Sequence, residues 1–167
     1  MSLLIDGYNL MHATGIIGPG GGPGTLQRSR QALLRFLAAQ LAEQDRAKTT
    51  VVFDARDAPA GLPRQLEYCG MQVCFAKNPA EADDLIEELI RADSAPKKLT
   101  VVSSDHRLHR AARRRRATAV DSDVWYEQLH RTPSPPATHG TASPDHKPIL
   151  PLTAEEVRRW LDEFGED

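Results

Sequence analysis

Short, β-branched apolar runs alternate with stretches of helical periodicity from residue 3 to residue 130, and few architectures accommodate that order. Leu3-Leu4-Ile5 closes at Asp6-Gly7 and reads as a buried strand followed by a loop. Beyond the glycine-rich connector 18–24, a helix is expected from about Thr25 to Glu43, with Leu26, Leu33, Leu34, Leu37 and Leu41 on one face. Thr49–Phe53 is a second strand, ending at Asp54, and residues 62–69 are expected to form a short helix. Met71–Phe75 gives a third strand. Asn78-Pro79-Ala80-Glu81 then has the order of a helix start, Asn at the N-cap, Pro at N1 and Glu at N3. Leu99–Val102 and Ala117–Val120 are the fourth and fifth strands. A helix marked by Leu108, Ala111 and Ala112 lies between them, and another follows from Val124 to His130.

Strands separated by helices imply a parallel sheet covered on both faces, hence an α/β three-layer sandwich over residues 1–131. Residues 132–151, TPSPPATHGTASPDHKPILP, break the pattern and are expected to be an extended linker. The last segment, 152–167, carries Val157, Trp160, Leu161 and Phe164 on one stripe, with Thr153 and Glu156 spaced as a capping box for a C-terminal helix.

Several classes are excluded. No apolar stretch approaches the length of a membrane span, and the N-terminal run is too short for a secretory signal, so a cytoplasmic protein is expected. Cys69 and Cys74 are the only cysteines, too few for a disulfide framework or a four-ligand zinc site, and read as reduced thiols. Net charge is −2, so any contact with nucleic acid must come from a local patch.

Three predicted strands end in aspartate: Asp6, Asp54 and Asp105. Ligands of open parallel sheets bind beyond the carboxyl ends of the strands. With strand order 3-2-1-4-5 these three become neighbours, and strands about 4.8 Å apart would bring the carboxylates to one crevice. Close carboxylates stay ionised together only around a cation. The helix after Asn78 offers a fourth: at about 100° per residue, Asp83 falls at the edge of its apolar face, whereas Asp84 points away. All-oxygen ligands favour Mg²⁺ or Mn²⁺, which activate water and neutralise phosphoryl charge. Asn9 would bond a ligand carboxylate or the substrate, and Ser103 and Ser104 would orient Asp105. The plainer reading of each aspartate alone is a helix cap or turn residue, Asp105 above all. Asp121 and Asp123, after an edge strand, are read in that way.

HRLHRAARRRR follows Asp105. With Leu108, Ala111 and Ala112 turned inward, Arg107, Arg110, Arg113 and Arg114 would face solvent and could hold RNA phosphates, with His106 and His109 beside them. The plainer alternative is a solvated helix face. GPGGGPG lacks the Gly-Lys-Ser/Thr ending of a phosphate-binding loop. Tyr8 stands where a phosphatase of the double-aspartate type needs its second aspartate, and no lysine follows the fifth strand as a receiver domain requires.

LLIDGYNLMH, VVFDA, EADDLIEEL and VVSSDHRLHRAA resemble, in order and spacing, the YacP-like NYN domains of the PIN-like nuclease superfamily. The resemblance covers roughly residues 2–131, and the tail is similar to the group's C-terminal segment. It implies a PIN-like sheet in the order 3-2-1-4-5 and metal-dependent cleavage of RNA to a 5′-phosphate and a 3′-hydroxyl. It also carries the acidic role onto Asp6, Asp54, Asp83 and Asp105 and a supporting one onto Asn9. RNA, or a larger RNA–protein assembly presenting it, is the implied partner. The competing reading is an RNA-binding module with a vestigial acidic site, against which the complete set of four aspartates argues.

Overall fold

A computed structural model describes residues 2–16, 25–54 and 64–131. The glycine-rich stretch, the Pro-rich linker and the C-terminal helix expected from the sequence lie outside those residues. The chain order is β1 (Ser2–Asp6), α1 (Gly7–Ala13), α2 (Thr25–Gln40), α3 (Glu43–Arg46), β2 (Thr49–Asp54), β3 (Gln65–Tyr68) and β4 (Met71–Ala76). It continues with α4 (Pro79–Ala92), a 3₁₀ turn (Pro96–Lys98), β5 (Leu99–Val102), α5 (His106–Arg114), β6 (Thr118–Val120) and α6 (Ser122–Arg131).

The sheet runs β3-β4-β2-β1-β5-β6. Its five parallel strands stand in the expected sequence, β1 between β2 and β5, with β4 and β6 outside them. The sixth strand is a correction. Residues 62–69 were expected to be helical, but Gln65–Tyr68 pairs antiparallel with β4 and extends the edge. Its side chains alternate exposed and half-buried, the period of a strand. The connecting turn is Cys69-Gly70, both at positive φ, 49° and 85°. Tight hairpins favour that conformation, and Asn-Gly is its usual sequence.

Two further boundaries move. The expected loop after Asp6 is the helix α1, and the helix expected over residues 25–43 ends at Gln40 before the separate turn α3. Asn78 caps α4 as expected: its side chain accepts from the Glu81 N–H at 2.9 Å, and the Glu81 carboxylate accepts from the Lys77 N–H and the Asn78 amide.

Alternation along the strands divides the core. Leu4, Val52, Cys74 and Val101 face α4 and α5, meeting Ile86, Ile90 and Leu108. Ile5, Val51, Phe53, Val73 and Val102 face the other layer, meeting Leu10, Met11, Leu33, Leu37 and Trp125. Among the described residues, no helix is long and apolar enough to cross a membrane.

Candidate active site

β1 delivers Asp6 to the carboxyl edge of the sheet, and the chain turns at once into α1. Asp6 caps that helix, its Oδ1 accepting from the Asn9 N–H at 3.1 Å. The other oxygen, Oδ2, accepts from the Asn9 side-chain amide at 2.5 Å and from the Ser103 hydroxyl at 2.9 Å. Asp6 is buried. Burial raises its carboxyl above the ordinary value, and the bonds from Asn9 and Ser103 oppose the shift without cancelling it.

Ser103 is wholly buried beyond β5. Besides donating to Asp6, its Oγ accepts from the Asp105 N–H at 3.1 Å, so one hydroxyl ties the two acidic segments together. Asp105 caps α5 by accepting from the Arg107 N–H at 2.6 Å. The capping explanation therefore holds for both Asp6 and Asp105, and each cap also fixes a carboxylate at the sheet edge. Ser104 serves elsewhere, accepting from the Ser122 N–H.

Asp83 comes from α4 and is half-buried. Its carboxyl is raised first by burial and then by the negative charges of Asp105 and Asp6. Three aspartates from three elements thus share one electrostatic neighbourhood. Asp84, one residue on, points outward to Arg107, as the helical wheel requires.

Asp54 departs from that picture. It ends β2, two residues beyond Val52, the register partner of Asp6. Its carboxylate lies 3.6 Å from the guanidinium of Arg30 on α2, which also donates to the Asp54 carbonyl at 2.6 Å; both residues are buried. Nothing in the sequence singles out Arg30, which sits among leucines on the inward face of an amphipathic helix.

The basic residues after Asp105 divide as well. Arg107 joins α5 to α4, bonding Asp84 at 2.5 Å and Glu87 at 2.6 Å. These bonds raise its pKa further and engage its Nε and Nη2. His106 is exposed at the first turn of α5. His109 is buried, contrary to a surface role, with Nε2 2.5 Å from the Ser103 carbonyl and 3.9 Å from Asp121. Arg110, Arg113 and Arg114 are exposed, but α5 carries them away from Asp105 at about 1.5 Å per residue. Arg113 and Arg114 end the helix at the opposite edge of the sheet, not beside the crevice.

Among the described residues, no three acidic, histidine or cysteine side chains stand close enough to grip one ion together. Magnesium seldom needs such a cage: it keeps several waters and takes one or two carboxylates plus substrate phosphate. The Asp83 carboxyl, raised by burial and then by the charges of Asp105 and Asp6, is a group whose ionised form a nearby cation would favour. The carboxylate oxygens of Asp6, Asp83 and Asp105 are donors of the type that a hydrated divalent cation takes one or two at a time.

The sequence model of the YacP-like NYN domain family matches residues 3–160. Among solved structures, that of Rae1 (YacP) from Bacillus subtilis is 24% identical and superposes with a TM-score of 0.56, covering 78% of this chain and 74% of that one. A tryptophan-to-leucine mutant of the same protein gives 24% identity and a TM-score of 0.53 over 78% and 76%. At that identity the likeness shows a shared fold. A search of curated proteins gave no match.

Proposed function

The chain belongs to the YacP-like NYN domain family, a nuclease-like group, and on that premise we propose that it is a cytoplasmic, metal-dependent endoribonuclease. One observation carries the reading: the Ser103 hydroxyl ties Asp6 to the Asp105 segment at the carboxyl edge of the sheet, and Asp83 on α4 lies near enough to feel both charges.

The reaction is hydrolysis of a phosphodiester, in which water attacks phosphorus in line and the 3′ oxygen leaves, giving a 5′-phosphate and a 3′-hydroxyl. Asp6 is the fixed member of the set, held by Asn9 and Ser103. Asp83 and Asp105 are half-buried, and in this reading they orient the attacking water by accepting its hydrogens. A Mg²⁺ or Mn²⁺ bound by these carboxylates would supply charge neutralisation at the phosphoryl oxygens and a lowered pKa for water. Asp54, paired with Arg30, holds the end of β2 beside them. His106, exposed and next in sequence to Asp105, would contact the substrate backbone in this reading. RNA, alone or presented by a larger RNA–protein assembly, is the partner.

Cleavage of a labelled RNA pool by pure protein, with Mn²⁺, with Mg²⁺ and with chelator, tests this directly. Metal-dependent products should fall more than about 100-fold in folded Asp6→Asn and Asp105→Asn variants, beyond the 10–100-fold typical of supporting residues. Equal products from wild type and variants would mean a contaminant. RNA binding without cleavage under any condition would instead favour a binding module with a vestigial site.

A further inference from the structure

The arginines at the end of α5 are too far down the helix to serve the crevice, yet they are not scattered. Arg115 donates to the Asp93 carbonyl at 3.0 Å, which joins the last turn of α5 to the end of α4. β5 and β6 run in parallel register from Thr100↔Thr118, so Lys97 and Lys98 approach the same edge as Arg116. Residues 91–98 and 110–116 carry eight arginines and lysines against the single carboxylate of Asp93. All eight are exposed. Among the described residues none of them forms a salt bridge.

Helix ends explain part of this. Cations in a last turn complement the helix dipole by about 0.3–1 kcal/mol each. Lys97 and Lys98 precede a strand, however, and a run from Arg113 to Arg116 exceeds what one helix end can use. A protein partner is usually held by aromatic or aliphatic anchors, and a membrane surface requires apolar insertion. Among the described residues the one large apolar side chain that is exposed is Val124, on α6 in the other layer. A surface of exposed cations without apolar anchors, mostly arginine, suits phosphate oxygens.

We propose that this basic end, centred on Arg113, Arg114, Arg116, Lys97 and Lys98, is a second RNA-binding surface that anchors the substrate backbone away from the acidic crevice. The proposal rests on RNA as the substrate. Without a cation the acidic crevice repels phosphates, and a nine-residue helix places the anchor about 13 Å from it. RNA held at the basic end is thereby kept within reach of a site that would otherwise reject it.

The test is binding without catalysis. A labelled RNA of about 30 nucleotides, much longer than the span at ~3.4 Å per stacked residue, is titrated with the full chain in chelator across a range of salt. The Lys97→Gln/Lys98→Gln/Arg113→Gln/Arg114→Gln variant should bind at least tenfold more weakly. Its log Kd against log salt slope should fall by about 3, from ~0.7 per lost single-strand phosphate contact. Arg28→Gln/Arg35→Gln, exposed on α2, controls for general charge, and melting curves confirm folding. Wild-type affinity in the fourfold variant would overturn the proposal. So would absence of RNA binding by the wild type, or polyglutamate competing as well as an RNA homopolymer, which would assign the surface to an acidic protein. Cleavage is scored separately with metal present: a wild type that binds RNA through the basic end but never cleaves it sinks the nuclease reading and leaves the anchor, whereas a fourfold variant that cleaves dilute RNA as fast as wild type sinks the anchor.

Discussion

Ser103 occupies a position few side chains could fill, wholly buried between two acidic segments and bonded to both. Ser103→Ala keeps the packing but frees Asp6 Oδ2 from one donor and leaves the Asp105 N–H unpaired. We expect cleavage to fall about 10–100-fold, the usual cost of losing a group that orients a metal ligand, with little change in the circular dichroism spectrum. The acids themselves carry a pH signature. Asp6 and Asp83 both titrate above their ordinary value of 3.8, so the folded protein holds these protons more tightly than the unfolded chain. Their contribution to stability is complete below about pH 4 and is lost as pH rises through the raised values. In chelator, the Tm of the wild type should therefore decline relative to Asp6→Asn as pH climbs from about 4 toward neutrality. Adding Mn²⁺ at neutral pH should recover more in the wild type. Parallel Tm–pH curves for the two proteins would refute the assignment. The placement of Asp6 and Asp105 at the sheet edge and of Asp83 at the edge of its helix's apolar face was legible in the sequence, because strand ends and helical period are local facts. The partners of Asp54 and His109 were not, since each depends on which buried group the fold sets opposite.

Elements were legible where hydrophobic period extends over enough residues to be read. The five parallel strands, the capped start of α4 and the inward faces of α2 and α5 all met that condition. α1 did not: it is seven residues long, and its opening Gly7 reads as a breaker. The structure gives that glycine another purpose. A Cβ there would stand 2.3 Å from Phe53 Cε1, against the edge of a ring that is itself buried and stacked on Phe75. Gly7→Ala should cost about 1–3 kcal/mol through overpacking, a drop of roughly 2–10 °C in Tm for a chain of this size. It should lower cleavage too, because α1 holds Asn9 against Asp6. The hairpin between β3 and β4 escaped notice for a related reason: Cys69 stands where Asn would announce the turn. With φ of 49°, it bears a left-handed conformation that costs most side chains about 1–2 kcal/mol and Asn less. Cys69→Asn should raise Tm by about 2–4 °C, measured by thermal melt.

Across the whole molecule, function and stability draw on aspartates that look alike in sequence. Asp83 feels the negative charges of Asp105 and Asp6 at the open edge, whereas the Asp54 carboxylate is paired with Arg30 of α2. A carboxylate buried against one guanidinium depends heavily on it. Removing the partner of such a pair typically costs 3–5 kcal/mol, while replacing both members with neutral groups is often mild. Arg30→Met should therefore lower Tm by about 6–20 °C. The Arg30→Met/Asp54→Asn double variant should recover most of that loss, a coupling that a thermal double-mutant cycle reads directly. Cleavage by the recovered double variant then decides what Asp54 does. Activity within about tenfold of wild type means that Asp54 supports the site by holding β2, in line with the cost of a supporting residue. A folded double variant as inactive as Asp6→Asn would return Asp54 to the acidic set, and its pairing with Arg30 would describe only the metal-free protein.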